Sequence, residues 1–350
     1  MKKFFVISSF LILTCFIIIF FSSKYSGYNI ALVKNSIEKL ILNIPIVKRD
    51  LNLLKDVSVK QQRKHEGLIT YFLDNYTDYN INFYNLPFKN YYIGQDKPSA
   101  YIEKYRDKFL IASGSGSFLF FEKENINNSD IDFKKIKSNI KKLITDDLFY
   151  RPGSRSIKDL EIVEDYLYIT FTKEVKDKCY NISVLRSEIN FEYLEFAEVF
   201  SPNECLIDNY RKQSGGRLFP YKEGRFILSV GTFAHNDFAQ MVDNMFGKII
   251  SFEPMSNDYE ILSVGHRNPQ GLFYDSKRDV IVNTEHGPLG GDEININKDP
   301  DPNNIKNFGW PISSYGVHYG RKIVDNEPLY KSHSDHGFLE PIKFFNPATF

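Results

Sequence analysis

Two polar segments of the sequence contain the side chains best suited to chemistry. The segment 264–271 carries Arg267, Asn268 and Gln270, and the segment 283–295 combines carboxylates, a histidine and several glycines. Both segments flank one predicted pair of strands, so we expect their polar groups to gather at the same end of that pair. Arg267 offers paired donors of the kind that hold an anionic carboxylate.

The second segment also offers oxygen atoms that suit a hard cation. Gly287 and Pro288 leave backbone carbonyls exposed, and Glu293 adds negative charge, which together favour an ion such as calcium. Ordinary turns are the alternative interpretation of both segments, because Gly-Pro and Gly-Gly sequences are common turn formers.

The elements that must position these segments form a weak repeat. An apolar strand, a turn and a second strand recur four times, anchored at Ile102, Leu160, Leu218 and Leu272, with separations of 58, 58 and 54 residues. This period is typical of a four-stranded blade, and the sequence predicts an all-β fold of radially stacked blades, a β-propeller. Hairpins at chance spacing in a sandwich or barrel are the alternative.

Two details complete the prediction for this region. Between strands, the apolar and basic residues of Phe133–Leu143 favour a helix. A fifth copy of the repeat is expected near residue 328 but is not found, so the propeller is expected to be incomplete at its C-terminus.

Composition excludes some classes of partner. The 350 residues include 44 basic and 44 acidic side chains, so no net charge favours nucleic acid. The 31 Phe and 22 Tyr residues favour strands. Cys179 and Cys205 are close enough in sequence to link neighbouring strands, and a disulfide is expected in an oxidising compartment, with two free buried thiols as the alternative.

The N-terminal region predicts a membrane tether. Phe4–Phe21 is an uncharged run of 18 residues after two lysines, long enough to span a bilayer, and no Ala-x-Ala pattern follows it. We predict a cytoplasmic tip and signal anchor over 1–24, a helical stalk over 25–80, and a propeller over 81–350 on the periplasmic or extracytoplasmic side. A cleaved signal peptide and a buried helix are the alternatives.

Three motifs in order resemble a known family. They are Gly-His-Arg-Asn-Pro-Gln-Gly-Leu from Gly265, Glu-His-Gly-Pro-x-Gly-Gly-Asp-Glu-Ile-Asn from Glu285, and Asn-Phe-Gly-Trp-Pro-x-x-x-Tyr-Gly from Asn307. Together with weaker phrases upstream, over about 85–350, they resemble the glucose/sorbosone dehydrogenase family. The resemblance implies a six-bladed propeller that binds pyrroloquinoline quinone (PQQ) and calcium and oxidises aldose sugars.

The resemblance also implies roles for particular residues. Hydride would pass from the sugar to PQQ while Arg267 stabilises the developing oxyanion on the cofactor. The implied contacts of the quinone are Arg267, Asn268, Gln270 and His286. The implied calcium ligands are the carbonyls of Gly287 and Pro288 at the quinone and the carboxylate of Glu293 at a further calcium ion.

The sequence departs from the family pattern at the general base. The family has a histidine four residues before the Arg of a His-x-x-Gly-Arg-Leu type motif, and Gln213 occupies that position here. An amide has no useful proton affinity near neutral pH. The loop Lys298–Lys306 also looks longer than its counterpart in the family.

Two functions therefore remain open. One is a membrane-anchored sugar dehydrogenase that uses PQQ and calcium; the other is an inactive propeller that binds carbohydrate or protein outside the membrane. His333 and His336, with an aspartate between them, either bind a metal or belong to a polar loop between blades, and the loop is the favoured interpretation.

Overall fold

The computed structural model describes the chain within one compact unit, Tyr84–Phe350. The predicted anchor and stalk lie outside the described residues. Within those residues, no helix is long and apolar enough to cross a membrane. The described residues are 86, 100–114, 116–128, 131–144, 157–207, 213–288, 290–316, 329–330 and 332–345.

Strands account for most of the regular structure, in agreement with the predicted all-β fold. The strands up to residue 207 are β1 (Ala100–Tyr105), β2 (Lys108–Ser113), β3 (Phe118–Glu122), β4 (Lys134–Ser138), β5 (Ile157–Val163), β6 (Tyr166–Lys176), β7 (Cys179–Glu188), β8 (Tyr193–Leu194), β9 (Ala197–Phe200) and β10 (Leu206–Ile207). The later strands are β11 (Gly215–Pro220), β12 (Phe226–Val230), β13 (Lys248–Phe252), β14 (Tyr259–Val264), β15 (Pro269–Asp275), β16 (Val280–Glu285), β17 (Asp292–Lys298), β18 (Lys306–Asn307), β19 (Ser313–Ser314), β20 (Leu329–Tyr330) and β21 (Lys343–Phe345). Among the described residues, the helices are α1 (Ile140–Leu143) and four short 3₁₀ turns, Lys123–Asn127, Lys222–Gly224, Asn236–Gln240 and Ser334–His336.

These strands form four consecutive sheets and a small two-stranded one. The first sheet has the order β1-β2-β3-β4-β8, and the second has β10-β7-β6-β5, with β9 also paired to β7. The third has β11-β12-β13-β14-β18, the fourth has β15-β16-β17-β21, and β19 pairs with β20. Each of the four large sheets begins with one copy of the sequence repeat, so the strand pairs predicted at the four anchors are confirmed.

Successive sheets pack against one another through their first strands. The first strand of each sheet neighbours the first strand of the next, because β1 contacts β5, β5 contacts β11, and β11 contacts β15. The tyrosine hydroxyl of Tyr101 on β1 donates to the carbonyl of Ile157 on β5 at 3.1 Å. This succession of first strands is the arrangement expected of propeller blades around an axis.

In two sheets the last strand pairs in parallel and comes from a later part of the chain. In the first sheet β8 pairs in parallel with β4, and the chain reaches β8 only after it has passed through β5, β6 and β7. In the third sheet β18 pairs in parallel with β14, after the chain has passed through β15, β16 and β17. Each of these edge strands therefore depends on the sheet that follows.

The predicted helix over Phe133–Leu143 is wrong for most of its length. Lys134–Ser138 forms strand β4, and only Ile140–Leu143 forms a helix. Ile136 pairs with Phe118 of β3 and is buried. Strand pairing in the sheet therefore prevails over the helical spacing of the apolar residues, because burial on the sheet outweighs local propensity.

Aromatic residues hold the second and third sheets together. The rings of Phe200 and Phe252 stack with centroids 4.2 Å apart, and Tyr168 meets Phe226 at 4.6 Å. Buried aromatic side chains of this size supply much of the apolar contact in a core. The third and fourth sheets meet in a smaller apolar cluster that includes Ile249 and Ile281.

The two cysteines of the propeller region form a disulfide. Cys179 at the start of β7 is joined to Cys205, which immediately precedes β10. The pairing of β10 with β7 brings the two residues together, since Ile207 lies opposite Cys179. The disulfide predicted from the spacing is confirmed.

Candidate functional site

The two polar segments meet at one end of the fourth sheet, as predicted. The first segment leads into β15, and the second begins within β16. Pro269 at the start of β15 lies opposite Glu285 at the end of β16. Beyond this pair, the amide of His286 donates to the carbonyl of Asn268 at 3.2 Å, so the two segments continue side by side.

Arg267 is the central side chain of this site. It is only 6% exposed, although it carries a charge. Its Nη1 atom donates to the carbonyl oxygens of His286 at 3.0 Å and of Gly287 at 2.6 Å. The guanidinium also lies over the indole ring of Trp310, 5.2 Å from the centroid, in a cation–π contact.

Glu285 fixes the backbone that carries Arg267. Its Oε2 atom accepts a hydrogen bond from the backbone N–H of Arg267 at 2.9 Å, and its Oε1 atom accepts one from Nδ2 of Asn295 at 3.0 Å. The Nδ1 atom of His266 lies 3.4 Å from the same carboxylate, and Nε2 of His266 lies 2.8 Å from the hydroxyl of Ser263. The Arg267 backbone is thus held in place by a buried carboxylate, while its side chain reaches across to the other segment.

Glu293 forms a buried ion pair with His333. Glu293 lies opposite Glu285 on the neighbouring strand, and its Oε1 atom is 3.2 Å from Nε2 of His333. Burial raises the pKa of Glu293, and the nearby Glu285 raises it further. Burial lowers the pKa of His333, but the bond to Glu293 and the surrounding carboxylates outweigh this effect and raise it overall. His333 and the carboxylate of Glu293 thus form a buried pair close to a second carboxylate, that of Glu285.

A more exposed group of side chains lies around His286. The Nδ1 atom of His286 is 3.2 Å from Oδ2 of Asp292, and its Nε2 atom is 3.1 Å from Oε1 of Gln270. The other oxygen of Asp292 accepts the N–H of Gly287 at 3.0 Å. Asp292 thus orients both the imidazole and the following turn.

The turn after His286 is tightly packed. A Cβ atom at position 287 would lie 2.3 Å from the carbonyl oxygen of Gly291, so only glycine fits there. Pro288 is buried, and its ring packs against Gly316. The carbonyl of Gly287 is fixed by this packing on the side of Arg267.

These residues surround a small pocket that opens to solvent. Four residues predicted for the site line it, Arg267, His286, Gly287 and Glu293, and Glu285 of the second polar segment lines it with them. The remaining lining residues are Gly291, Phe308, Trp310, Ser313, Ser314 and His333.

Besides Pro288, three other predicted residues do not line the pocket. Asn268 is buried and its Oδ1 atom accepts the N–H of Gly215 on β11, which ties the site to the third sheet. Gln270 reaches the site through His286. Gln213 has a left-handed backbone conformation with φ of 56°, and its Oε1 atom accepts the hydroxyl of Thr232 at 3.1 Å. The backbone N–H of Thr232 in turn donates to the carbonyl of Arg267 at 3.0 Å.

Comparison with protein families identifies the region that contains this site. Residues 161–350, more than half of the chain, match the model of the family described as glucose / sorbosone dehydrogenase. The chain belongs to this family. The match includes the second sheet from residue 161 of β5 onward, the third and fourth sheets, and every residue that lines the pocket.

The alignments with curated relatives cover a smaller part of this chain than the family model does. The aldose sugar dehydrogenase YliI of Escherichia coli is 35% identical over 125 residues, which is 32% of this chain and 32% of that protein. An uncharacterized protein of Synechocystis is 34% identical over 152 residues, 42% of this chain and 34% of that protein. The chain thus spans about a third of the length of the curated relatives it matches.

Solved structures show that this family member shares the fold of glucose dehydrogenases. A crystal structure of a glucose dehydrogenase superposes with a TM-score of 0.56 at 20% identity, covering 71% of this chain and 72% of that one. The soluble aldose sugar dehydrogenase of Escherichia coli in its apo form gives 0.52 at 17% identity, covering 71% and 76%.

Two of the three oxygen ligands expected for calcium, those of Gly287 and Glu293, already have cationic partners. The carbonyl of Gly287 accepts a hydrogen bond from the guanidinium of Arg267, and the carboxylate of Glu293 is paired with His333. Among the described residues, no group of three or more His, Cys, Asp or Glu side chains is arranged to hold a metal ion. In this arrangement the site does not fit calcium, and His333 serves as the partner of a carboxylate.

Sequence reasoning missed several lining residues of the pocket, and two of them contact predicted site residues. Trp310 lies in the third motif of the family resemblance, but nothing in that motif predicts the contact with Arg267. His333 stands next to a polar turn, and its partner Glu293 is 40 residues away in sequence, so spacing gives no indication of the pair. Glu293 lies opposite Glu285 on the neighbouring strand. Two facing carboxylates indicate that a cation lies nearby, and this is the signal that could have predicted His333.

Proposed function

We propose that this chain is a sugar dehydrogenase that oxidises aldoses and transfers the hydride to PQQ on a six-bladed propeller. The single observation that carries the proposal is the pocket, in which Arg267, His286 and Glu293 meet although they come from two separate segments. The family to which the chain belongs supports the same reaction class.

The residues of the pocket suit a flat anionic cofactor. Arg267 supplies a cation, the indole of Trp310 supplies an apolar wall, and the hydroxyls of Ser313 and Ser314 supply further polar contacts. PQQ is a planar aromatic molecule with three carboxylates, so paired donors and an aromatic surface match it chemically. When bound, PQQ supplies an electron-poor carbonyl carbon that accepts a hydride.

Arg267 is the residue best placed to assist this transfer. A buried guanidinium stabilises negative charge that develops on a cofactor oxygen, and its low exposure strengthens the effect. His286, oriented by Asp292, is a donor at the rim of the pocket. Asn268 and Gln270 support these two residues, Asn268 through its contact with Gly215 and Gln270 through its contact with His286.

A second function is favoured by one specific residue. Gln213 occupies the position of the family's base, and its amide oxygen accepts a hydrogen bond from Thr232. An amide does not take up the proton of a sugar hydroxyl. This observation supports the alternative of a propeller that binds a carbohydrate or a protein without turning it over.

The experiment that separates these functions is reconstitution of the full chain with calcium and PQQ. Quinone binding is followed by its absorbance, and reduction is followed after addition of aldoses. The dehydrogenase proposal expects binding and reduction of the quinone. Absence of quinone binding would remove it, and binding without reduction would favour the non-catalytic propeller.

Gln213→His is the informative variant in the second case. It restores an imidazole at the position of the family's base, so turnover should appear if the base is the missing element. A matched control is Gln240→His, at a residue that bonds Asn307 and the carbonyl of Trp310 outside the pocket lining. Failure of Gln213→His to gain turnover would mean that the pocket lacks more than a base.

We further propose that the propeller is tethered to a membrane and faces an extracytoplasmic compartment. The uncharged run Phe4–Phe21 supports the tether, and the disulfide between Cys179 and Cys205 supports an oxidising surrounding. Protease treatment of intact cells tests this: an external propeller is digested, whereas a cytoplasmic one is protected.

A further inference from the structure

Lys248, the first residue of β13, is a fully buried lysine that does not line the pocket. Its Nζ atom donates to three backbone carbonyls, those of Phe246 at 2.5 Å, Phe238 at 2.6 Å and Ala239 at 3.3 Å. An ammonium group has three N–H donors and no acceptor, so it matches three converging carbonyls. Because lysine is rarely buried without partners, these three bonds account for its position in the core.

The charge of Lys248 depends on its surroundings. Burial lowers the pKa of Lys248 to about 7, and the nearby carboxylates of Asp243 and Glu204 oppose that shift. Below pH 7 the amino group is therefore charged, and each of the three carbonyls then has an N–H donor. Hydrogen bonds from a charged donor are stronger than those between neutral groups.

Two of the three carbonyls belong to the short turn Asn236–Gln240, which lies between β12 and β13. The first and last residues of the same turn hold Trp310. The indole Nε1 atom of Trp310 donates to Oδ1 of Asn236 at 3.2 Å. The carbonyl of Trp310 accepts a hydrogen bond from Nε2 of Gln240 at 2.5 Å. The turn thus fixes both the ring and the backbone of this tryptophan.

The turn also contacts the backbone around the pocket. The carbonyl of Ala239 accepts the N–H of Gly265, two residues before Arg267, at 2.9 Å. A Cβ atom at position 247 would lie 2.7 Å from Cα of Ala239, so the turn packs directly on the residue before β13. Trp310 lines the pocket, and its ring lies 5.2 Å from the guanidinium of Arg267. The turn is therefore a bridge between a buried lysine and the wall of the pocket.

We infer that Lys248 is a positioning residue: it fixes the turn Asn236–Gln240, and the turn fixes the indole of Trp310 in the wall of the pocket. Without the ammonium group, the carbonyls of the turn lose a charged donor in a buried place, which favours a turn that opens to water. The indole then loses its fixed position beside Arg267. The importance of this wall for a planar cofactor rests on the proposed function.

Acrylamide quenching of tryptophan emission tests the inference without quinone or sugar. Trp310 is the only tryptophan of the chain and is 6% exposed, so we expect weak quenching in the unaltered protein. In the full chain at pH 6, Lys248→Met should raise the quenching constant about threefold, because the turn opens locally. The control Lys222→Met removes a lysine that pairs with Asp279, and it should leave the quenching constant unchanged.

A second variant separates positioning from general stability. Asn236→Ala removes the acceptor of the indole but leaves Lys248 and its three carbonyls in place. If Lys248 acts through the turn, Lys248→Met should add little further quenching to Asn236→Ala. Urea unfolding identifies the variants that are folded. Unchanged quenching in folded Lys248→Met, or fully additive effects of the two substitutions, would overturn the inference.

Two further results complete the test. If Lys248→Met does not fold, Lys248→Gln replaces it, because the amide keeps two N–H donors. Failure of both variants to fold would overturn the inference, since Lys248 would then serve the core alone. If the unaltered chain binds quinone, Lys248→Met should bind it about tenfold more weakly, and equal affinity would overturn the link to the cofactor. Absence of quinone binding by the unaltered chain contradicts the proposed function and leaves the quenching result unaffected.

Discussion

Asp159 on β5 and Arg217 on β11 form an ion pair that joins the second sheet to the third. The Oδ2 atom of Asp159 also accepts the backbone N–H of Leu218 at 2.8 Å. Arg217 continues to the fourth sheet, where its Nε atom donates to the carbonyl of Gln270 at 2.7 Å. One side chain thus bonds to the leading strands of two neighbouring sheets, and these contacts lie next to the polar segment that contains Arg267.

Loss of Asp159 should weaken the junction between the sheets. In Asp159→Ala the N–H of Leu218 loses its buried acceptor and Arg217 loses its ion pair, so we expect a loss of about 1–3 kcal/mol, moderated because Arg217 is partly exposed. Urea unfolding at constant m-value measures the change. Asp165→Ala is the control, since its pair with Arg106 is exposed, and the unfolding midpoint should stay the same. Equal effects of the two substitutions would contradict the assignment.

Glu161 on β5 should make folding stability depend on pH. Burial, together with the nearby Glu103 and Asp159, raises the pKa of Glu161 from 4.5 to about 8. The folded chain therefore holds this proton more tightly than the unfolded chain. The stabilising contribution is complete below about pH 4.5 and is lost as the pH rises through 8. Urea midpoints measured across this range should fall with pH, and Glu161→Gln should flatten the dependence.

Reduction of the disulfide should destabilise the propeller. The bond between Cys179 and Cys205 closes a loop with a sequence separation of 26 residues, so its loss is expected to cost about 3 kcal/mol. Thermal unfolding with and without reductant gives the difference. The double variant Cys179→Ala, Cys205→Ala should resemble the reduced protein and should not respond to reductant. An unchanged midpoint after reduction would show that the strand pairing of β7 and β10 suffices.

Asn283 and Asn295 should respond in opposite ways to the same substitution. They lie opposite one another on β16 and β17, and both are buried. Neither amide atom of Asn283 has a hydrogen-bond partner within the described part of the chain, whereas Nδ2 of Asn295 donates to Glu285 and Glu293. Asn283→Leu should therefore leave stability unchanged or raise it by about 1 kcal/mol, and Asn295→Leu should lower it by about 1–3 kcal/mol. Urea unfolding of the two variants checks the contrast, which fails if both lose equally.

The repeat was the part of the fold that sequence could predict. Ile102, Leu160, Leu218 and Leu272 mark the first strands of four sheets because alternation and turn residues are local signals. The strand β4 was not predictable in the same way. Ile136 and Ile140 follow helical spacing, and only the pairing with β3 decides between a strand and a helix.

The site was predictable where its residues share a motif. Arg267, His286 and Gly287 meet because the two segments flank one pair of strands, which the order of the motifs implies. The partners of these residues were not predictable. The contact between Arg267 and the carbonyl of Gly287 depends on a side-chain conformation, and the pair of Glu293 and His333 depends on how a distant turn returns to the sheet.

The late arrival of β8 and β18 has a consequence during synthesis. A ribosome releases the first sheet with β4 still exposed as an open edge, and that edge is closed only when residues 193–194 emerge. The third sheet waits in the same way for residues 306–307. Open strand edges recruit other chains, so each of these intervals is one in which the nascent protein is prone to aggregate. A chaperone that covers strand edges would act on these two edges during the translation of residues 139–192 and 265–305.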